Sequence, residues 1–141
     1  MTTAQINLVQ QTFGAVAALP AETVGELFYN RLFAIAPEVR PLFAHTSQPE
    51  QSRKLLAMLG YVISRLKRLD TILNDVSQLA QRHVQYGIKD EHYALVGDAL
   101  LWTLEQGLGP AWTAPVQEAW VTCYTLLSTA MIKSANQPVA V

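Results

Sequence analysis

Histidine has the widest chemical range of any residue in this chain, and there are three: His45, His83 and His92. Imidazole can ligate a metal, relay a proton or carry positive charge near neutral pH. His83 and His92 share one short stretch, QRHVQYGIKDEHY, residues 81–93. His83 continues the inward stripe of Ile72, Val76 and Leu79, in the last turn of the helix that this stripe defines. Three readings fit that position. It is a cation stabilised by the helix dipole, a core histidine with one satisfied hydrogen bond, or an imidazole aimed at a metal. In the last case its other nitrogen is expected on a backbone carbonyl one turn back. His92 lies at a helix start beside Asp90 and Glu91, where a solvated surface residue is expected, and His45 lies in a loop. The spacing makes no zinc pattern: there is no H-x-x-x-H, no cysteine pair and no H-E-x-x-H. A three-histidine site assembled only in space stays open.

Other chemistry-bearing patterns are missing. There is no G-x-S-x-G, no phosphate loop and no dinucleotide fingerprint. Cys123 is the one cysteine, so an internal disulfide is excluded. It follows the inward pattern of a helix and reads as a buried structural thiol.

The elements that must position these residues are helical nearly throughout. Ile6, Val9, Phe13, Val16 and Ala17 follow three- and four-residue steps. Leu19-Pro20 ends that helix, and Pro20 is placed to start a second, with Val24, Leu27, Phe28 and Leu32 on one face. Ala36-Pro37 stops it, because the residue before proline avoids the α region. PEVRPLF, 37–43, leaves room only for a short helical turn. Ser47 and Glu50 have the spacing of a capping box before a long helix that turns Leu55, Leu59, Val62, Ile63 and Leu66 inward. Gly87 is the expected stop of the His83 helix. Asp90 is the expected cap of the next, which buries Tyr93, Val96, Gly97, Leu100, Leu101 and Leu104. Gly107-Leu-Gly-Pro110 breaks it. Thr113 can cap a last helix burying Val116, Trp120, Cys123, Leu127 and Met131, and residues 134–141 read as a frayed tail. No run has the period of a strand. Six to seven helices of unequal length imply irregular orthogonal packing rather than an up-down bundle.

The 141 residues suffice for a single domain, 1–141, with its core in 5–133. Half of them are hydrophobic and 15% are charged, against about a quarter in an ordinary soluble domain. Such a domain buries much apolar material or wraps it around something apolar. A net charge of −1 gives no nucleic-acid or anionic-membrane footprint. The longest apolar run, LLAMLGYVI at 55–63, falls short of the roughly 18–20 residues that cross a bilayer. The start, MTTAQINLVQQ, has neither a basic segment nor an apolar core. A cytoplasmic protein is expected, as a monomer or a homodimer.

Four blocks, FYNRLFAIAPEVRPLF (28–43), QSRKLLAMLG (51–60), RHVQYGIKDEHYALVGDALL (82–101) and EAWVTCY (118–124), closely resemble the globins. The nearest group is the bacterial single-domain globins and the haem domain of flavohaemoglobins. The resemblance implies an all-α globin fold of six to seven helices packed around haem b (iron protoporphyrin IX). It implies His83 as the proximal ligand of the iron, Phe43 packed on the haem face, and Tyr29 and Gln51 as the residues facing the bound gas. It also implies Leu55 as the apolar wall beside that gas and Lys54 within reach of a haem propionate. Tyr93 resembles the proximal tyrosine that acts with a glutamate to make the histidine more electron-rich. That glutamate should fall near residue 135, where this chain has Ala135, which weakens the case for strongly activated chemistry.

The function so implied is reversible, high-affinity dioxygen binding for storage or transport, with NO and CO as further ligands. Nitric oxide dioxygenation through a separate reductase, or gas and redox sensing, are the other implied activities. No flavin or nicotinamide domain follows in this sequence.

Overall fold

The computed structural model describes residues 1–43, 47–85 and 89–135. Six α-helices form there: α1 (Thr3–Ala17), α2 (Ala21–Ile35), α3 (Gln48–Ile63), α4 (Leu73–Gln85), α5 (Asp90–Leu108) and α6 (Ala114–Ala135). Three 3-10 segments, Pro37–Phe43, Leu66–Ile72 and Gly109–Ala111, join or extend them. No strand occurs among the described residues, and no helix there is long and apolar enough to cross a membrane.

Local chemistry accounts for most boundaries. Thr2 caps α1, its hydroxyl accepting from the Gln5 amide while the Gln5 side chain accepts from the Thr2 amide. That reciprocal pair satisfies two donors the helix end would otherwise leave bare. Pro20 precedes α2 and Pro37 follows it. At α3 the Ser47 hydroxyl accepts from the Glu50 amide at 3.4 Å, while the Glu50 carboxylate pairs with Lys54 at 3.3 Å. Thr113 accepts from the Val116 amide at the start of α6.

Several assignments differ from expectation. Leu66 and Ile72 lie in the 3-10 segment between α3 and α4 rather than in either helix, and both are buried. Asp90 is the first helical residue of α5 rather than its cap. His92 is buried rather than solvated, and its Nδ1 accepts from the Lys89 amide at 2.9 Å. A side chain spent on capping turns back toward its own helix start, so it does not extend into water. The expected stop at Gly87 and the loop residue His45 lie outside the described residues. Helix α6 continues through Ala135, into the stretch expected to fray.

Helix α2 packs on α3 and α5, α1 on α6, and α4 on α6. The main core gathers Val9 and Phe13 of α1, Phe28 and Leu32 of α2, Leu100 and Leu104 of α5, and Trp120 of α6. The Trp120 indole donates to the Thr12 hydroxyl at 2.9 Å, joining the first and last helices. A smaller core of Val62, Ile72 and Val76 lies where α3, the segment before α4, and α4 meet. There the Tyr61 hydroxyl donates to the Asp75 carboxylate. These contacts join α3 and α4 at their connected ends. Gln51 and His83 sit toward the opposite ends of the two helices.

Candidate functional site

Two glycines set the helix crossings that build the site. At Gly25 of α2, an added Cβ would lie 1.8 Å from the Ser52 hydroxyl oxygen and 2.9 Å from the Ser52 Cα. Only a glycine lets α3 come this close. Ser52 is fully buried, and its hydroxyl donates to the Gln48 carbonyl at 2.8 Å, so the tight contact strands no polar group. The crossing brings the first turn of α3 beside Tyr29, one turn along α2 from Gly25.

The Tyr29 ring is buried among three phenylalanines. Phe28 meets it edge-on at 4.9 Å, Phe43 at 5.4 Å, and Phe33 stacks at 6.1 Å. Its hydroxyl donates to the Gln51 backbone carbonyl at 3.4 Å, a long and therefore weak bond. Burial pushes the phenol up to about 12, so it stays a neutral donor. Tyr29, Phe33, Phe43 and Gln51 line a cavity of about 520 Å³, with Arg40 and Gln48 also on its wall. The Arg40 guanidinium lies 5.2 Å over the Phe33 ring. Leu55, one turn beyond Gln51, is half-buried. Lys54 is exposed and paired with Glu50 of its own helix.

The second crossing lies in the first half of α5. An added Cβ on Gly97 would sit 2.6 Å from the Tyr124 ring of α6. The Tyr124 hydroxyl donates to the Tyr93 backbone carbonyl. The Tyr93 hydroxyl lies 3.4 Å from Nδ1 of His83, with the two rings 6.3 Å apart. This polar contact replaces the backbone carbonyl expected at that nitrogen. Burial first, and the nearby Arg82 second, hold His83 below the usual histidine range. The imidazole is therefore neutral at pH 7, against the reading of a helix-end cation. Burial, then Asp90, raises the Tyr93 phenol, which stays protonated.

Tyr29, Phe43 and Gln51 thus share one cavity, and His83 and Tyr93 share a second polar contact on another part of the fold. A further cavity of about 320 Å³ lies between α3 and α4, lined by Met58, Val62, Val76 and Leu79 with Tyr61 and Asp75. Among the described residues no group of three or more ligating side chains gathers.

Ser52 and Tyr124 escaped the sequence reading. Ser52 is a polar residue near a helix start, which reads as solvated. Tyr124 is flagged only by the small residue it needs opposite, Gly97, far away in the chain. Cys123 is buried as expected, and its thiol is pushed up to about 12 by burial.

A family model described as Globin matches residues 26–131. A flavohemoprotein of Vibrio cholerae is 32% identical over 136 residues, covering 94% of this chain and 34% of that protein. The chain therefore spans about a third of that relative's length. The neuroglobin of Danio rerio is 30% identical over 122 residues, covering 77% of each. Among solved structures, a bacterial globin from Campylobacter jejuni superposes with a TM-score of 0.84 at 26% identity, over 95% of this chain and 96% of that one.

Proposed function

This chain belongs to the globin family, and on that premise we propose that it binds haem b through His83 and takes up dioxygen reversibly with high affinity. The residues suit the group. His83 is neutral and meets Tyr93 through Nδ1, which leaves Nε2 for a metal. Phe43, Leu55 and Leu79 are apolar yet only half-buried by protein, as expected of walls that an apolar macrocycle would cover. The haem, when bound, supplies an iron with one coordination position open to a diatomic gas.

The observation that carries the reading is that Tyr29 and Gln51 line one cavity. A phenol hydroxyl and a carboxamide are both donors, and a gas with partial negative charge on its outer atom is held by such groups. In surroundings shielded from water these bonds are stronger than at a surface. The Tyr29 proton is only loosely engaged by the Gln51 carbonyl, so turning it toward a ligand costs little. Slow release follows from two donors, which suits storage or scavenging. Lys54 is within its own helix pair, and its reach to a propionate would require leaving Glu50.

The test is the absorption spectrum of the purified protein, oxidised, then reduced, then exposed to air. A five-coordinate reduced spectrum that converts to a stable gas-bound one is expected. A reduced spectrum already six-coordinate would overturn the open-site reading.

A second reading is favoured by the Tyr93–His83 contact, which resembles the proximal side of the flavohaemoglobins. It is nitric oxide dioxygenation, in which NO, O₂ and one electron yield nitrate, the electron coming from a separate reductase. Nitrate formed in step with reductant consumption, once a reductase is added, would favour it over simple carriage.

A further inference from the structure

We propose that Tyr124 is a positioning residue for His83, acting through Tyr93, and that Gly97 is the vacancy that admits it. The proposal rests on the haem reading above and names the part of α6 that supports that site. Three observations carry it. The Tyr93 hydroxyl is 3.4 Å from His83 Nδ1. The Tyr124 hydroxyl donates to the carbonyl of that same Tyr93. The Tyr124 ring occupies the volume where any side chain larger than hydrogen at position 97 would begin.

The chemistry runs through one proton. With Nε2 on a metal, a neutral imidazole carries its remaining proton on Nδ1 and donates it to the Tyr93 oxygen. A hydrogen bond there makes the histidine a stronger electron donor. Its strength depends steeply on distance near 3.4 Å, and that distance depends on where α5 begins. Carbonyls near a helix start are bonded within the helix only along its axis, and each oxygen has a second lone pair. Tyr124 uses that capacity at Tyr93 and ties α5 to α6 beside the phenol. Burial raises the Tyr124 phenol far above its ordinary range, so it remains a donor at all physiological pH. A neutral phenol at Nδ1 is a weaker acceptor than a carboxylate. The histidine therefore stays an imidazole, and the position of Tyr93 is the variable the fold controls.

The test is a double-mutant cycle on the haem-loaded protein, using Tyr124→Phe and Tyr93→Phe. Two readouts are followed: the iron–histidine stretching frequency of the reduced form and the midpoint potential. Tyr124→Phe removes one hydroxyl and keeps the ring. It is expected to lower the frequency and raise the potential when Tyr93 is present. In the Tyr93→Phe background it is expected to move neither. Coupling of this kind marks residues that act as a unit. Gly97→Ala, which displaces the Tyr124 ring, should shift both readouts in the same direction as Tyr124→Phe. An unchanged frequency in Tyr124→Phe, even with a lowered melting temperature, overturns the proposal and leaves Tyr124 a packing residue. A shift of equal size in both backgrounds also overturns it. Failure of the unsubstituted protein to take up haem would instead overturn the haem reading itself.

Discussion

Tyr29 and Tyr93 each bury a ring and hold a hydroxyl 3.4 Å from a polar partner, yet their surroundings differ. Tyr29 is wedged by aromatic rings and faces a cavity of about 520 Å³. Its ring is fixed and its hydroxyl has somewhere else to point. Tyr93 faces a histidine, and its backbone is held from α6 by Tyr124. The supporting crossings differ in the same sense. At Gly25 the obstructing atoms include the Ser52 Cα, so an added methyl must push the backbone of α3. At Gly97 the three nearest obstructing atoms belong to the Tyr124 ring, which can turn away. The Tyr29 side thus depends on where a helix lies, and the His83 side on where a ring lies.

The sharpest break is His83→Ala. With His83 as the proposed ligand, stable haem retention is expected to be lost, read as loss of the Soret band on gel filtration. Retention with an unchanged spectrum would remove the distinction between the two sides. Next comes Gly25→Ala. Overpacking at a site with so little slack costs about 1–3 kcal/mol, which thermal unfolding would report. Because α3 must shift, gas release should change as well. Ser52→Gly in the same chain removes the two closest atoms and should restore part of both losses. Gly97→Ala should cost less stability than Gly25→Ala, and the reverse order would contradict the comparison.

Tyr29→Phe is subtler. Losing one hydrogen bond to the ligand, worth about 1–1.5 kcal/mol, should speed dioxygen dissociation about tenfold. Stability should barely move, because the bond to the Gln51 carbonyl is already long. An unchanged dissociation rate would show that the hydroxyl stays on that carbonyl. The smallest effect is expected at Cys123, next to Tyr124 on α6. With its thiol raised from 9.0 to about 12, the thiolate fraction falls about a thousandfold. Alkylation at pH 8 should be negligible in the native protein and rapid in denaturant. Fast native alkylation would mean that α6 opens and that the brace on Tyr93 is intermittent.

The helices were legible in the sequence for a local reason. Apolar residues at three- and four-residue steps, prolines 20 and 37, and the capping hydroxyls of Ser47 and Thr113 act within a turn or two of themselves. The stripe that carries His83 was legible on the same ground, and the four family-like blocks gave Tyr29, Phe43, Gln51 and Tyr93 roles to be tested. His92 was misjudged because a polar residue following two acids looks solvated, whereas its ring turns back onto the Lys89 amide. Ser52 and Tyr124 were missed because the glycines they pack against, Gly25 and Gly97, are distant in the chain.

Backbone hydrogen bonding and side-chain periodicity are short-range, so the sequence by itself determined where helices run and which face of each is apolar. Which polar groups meet depends on the angle and separation at which helices cross. Those are settled by side-chain volume at a few contacts, above all the missing side chains of Gly25 and Gly97. Only the tertiary structure therefore decided that Tyr29 reaches the Gln51 carbonyl, that Tyr93 reaches His83, and that Tyr124 reaches the Tyr93 carbonyl.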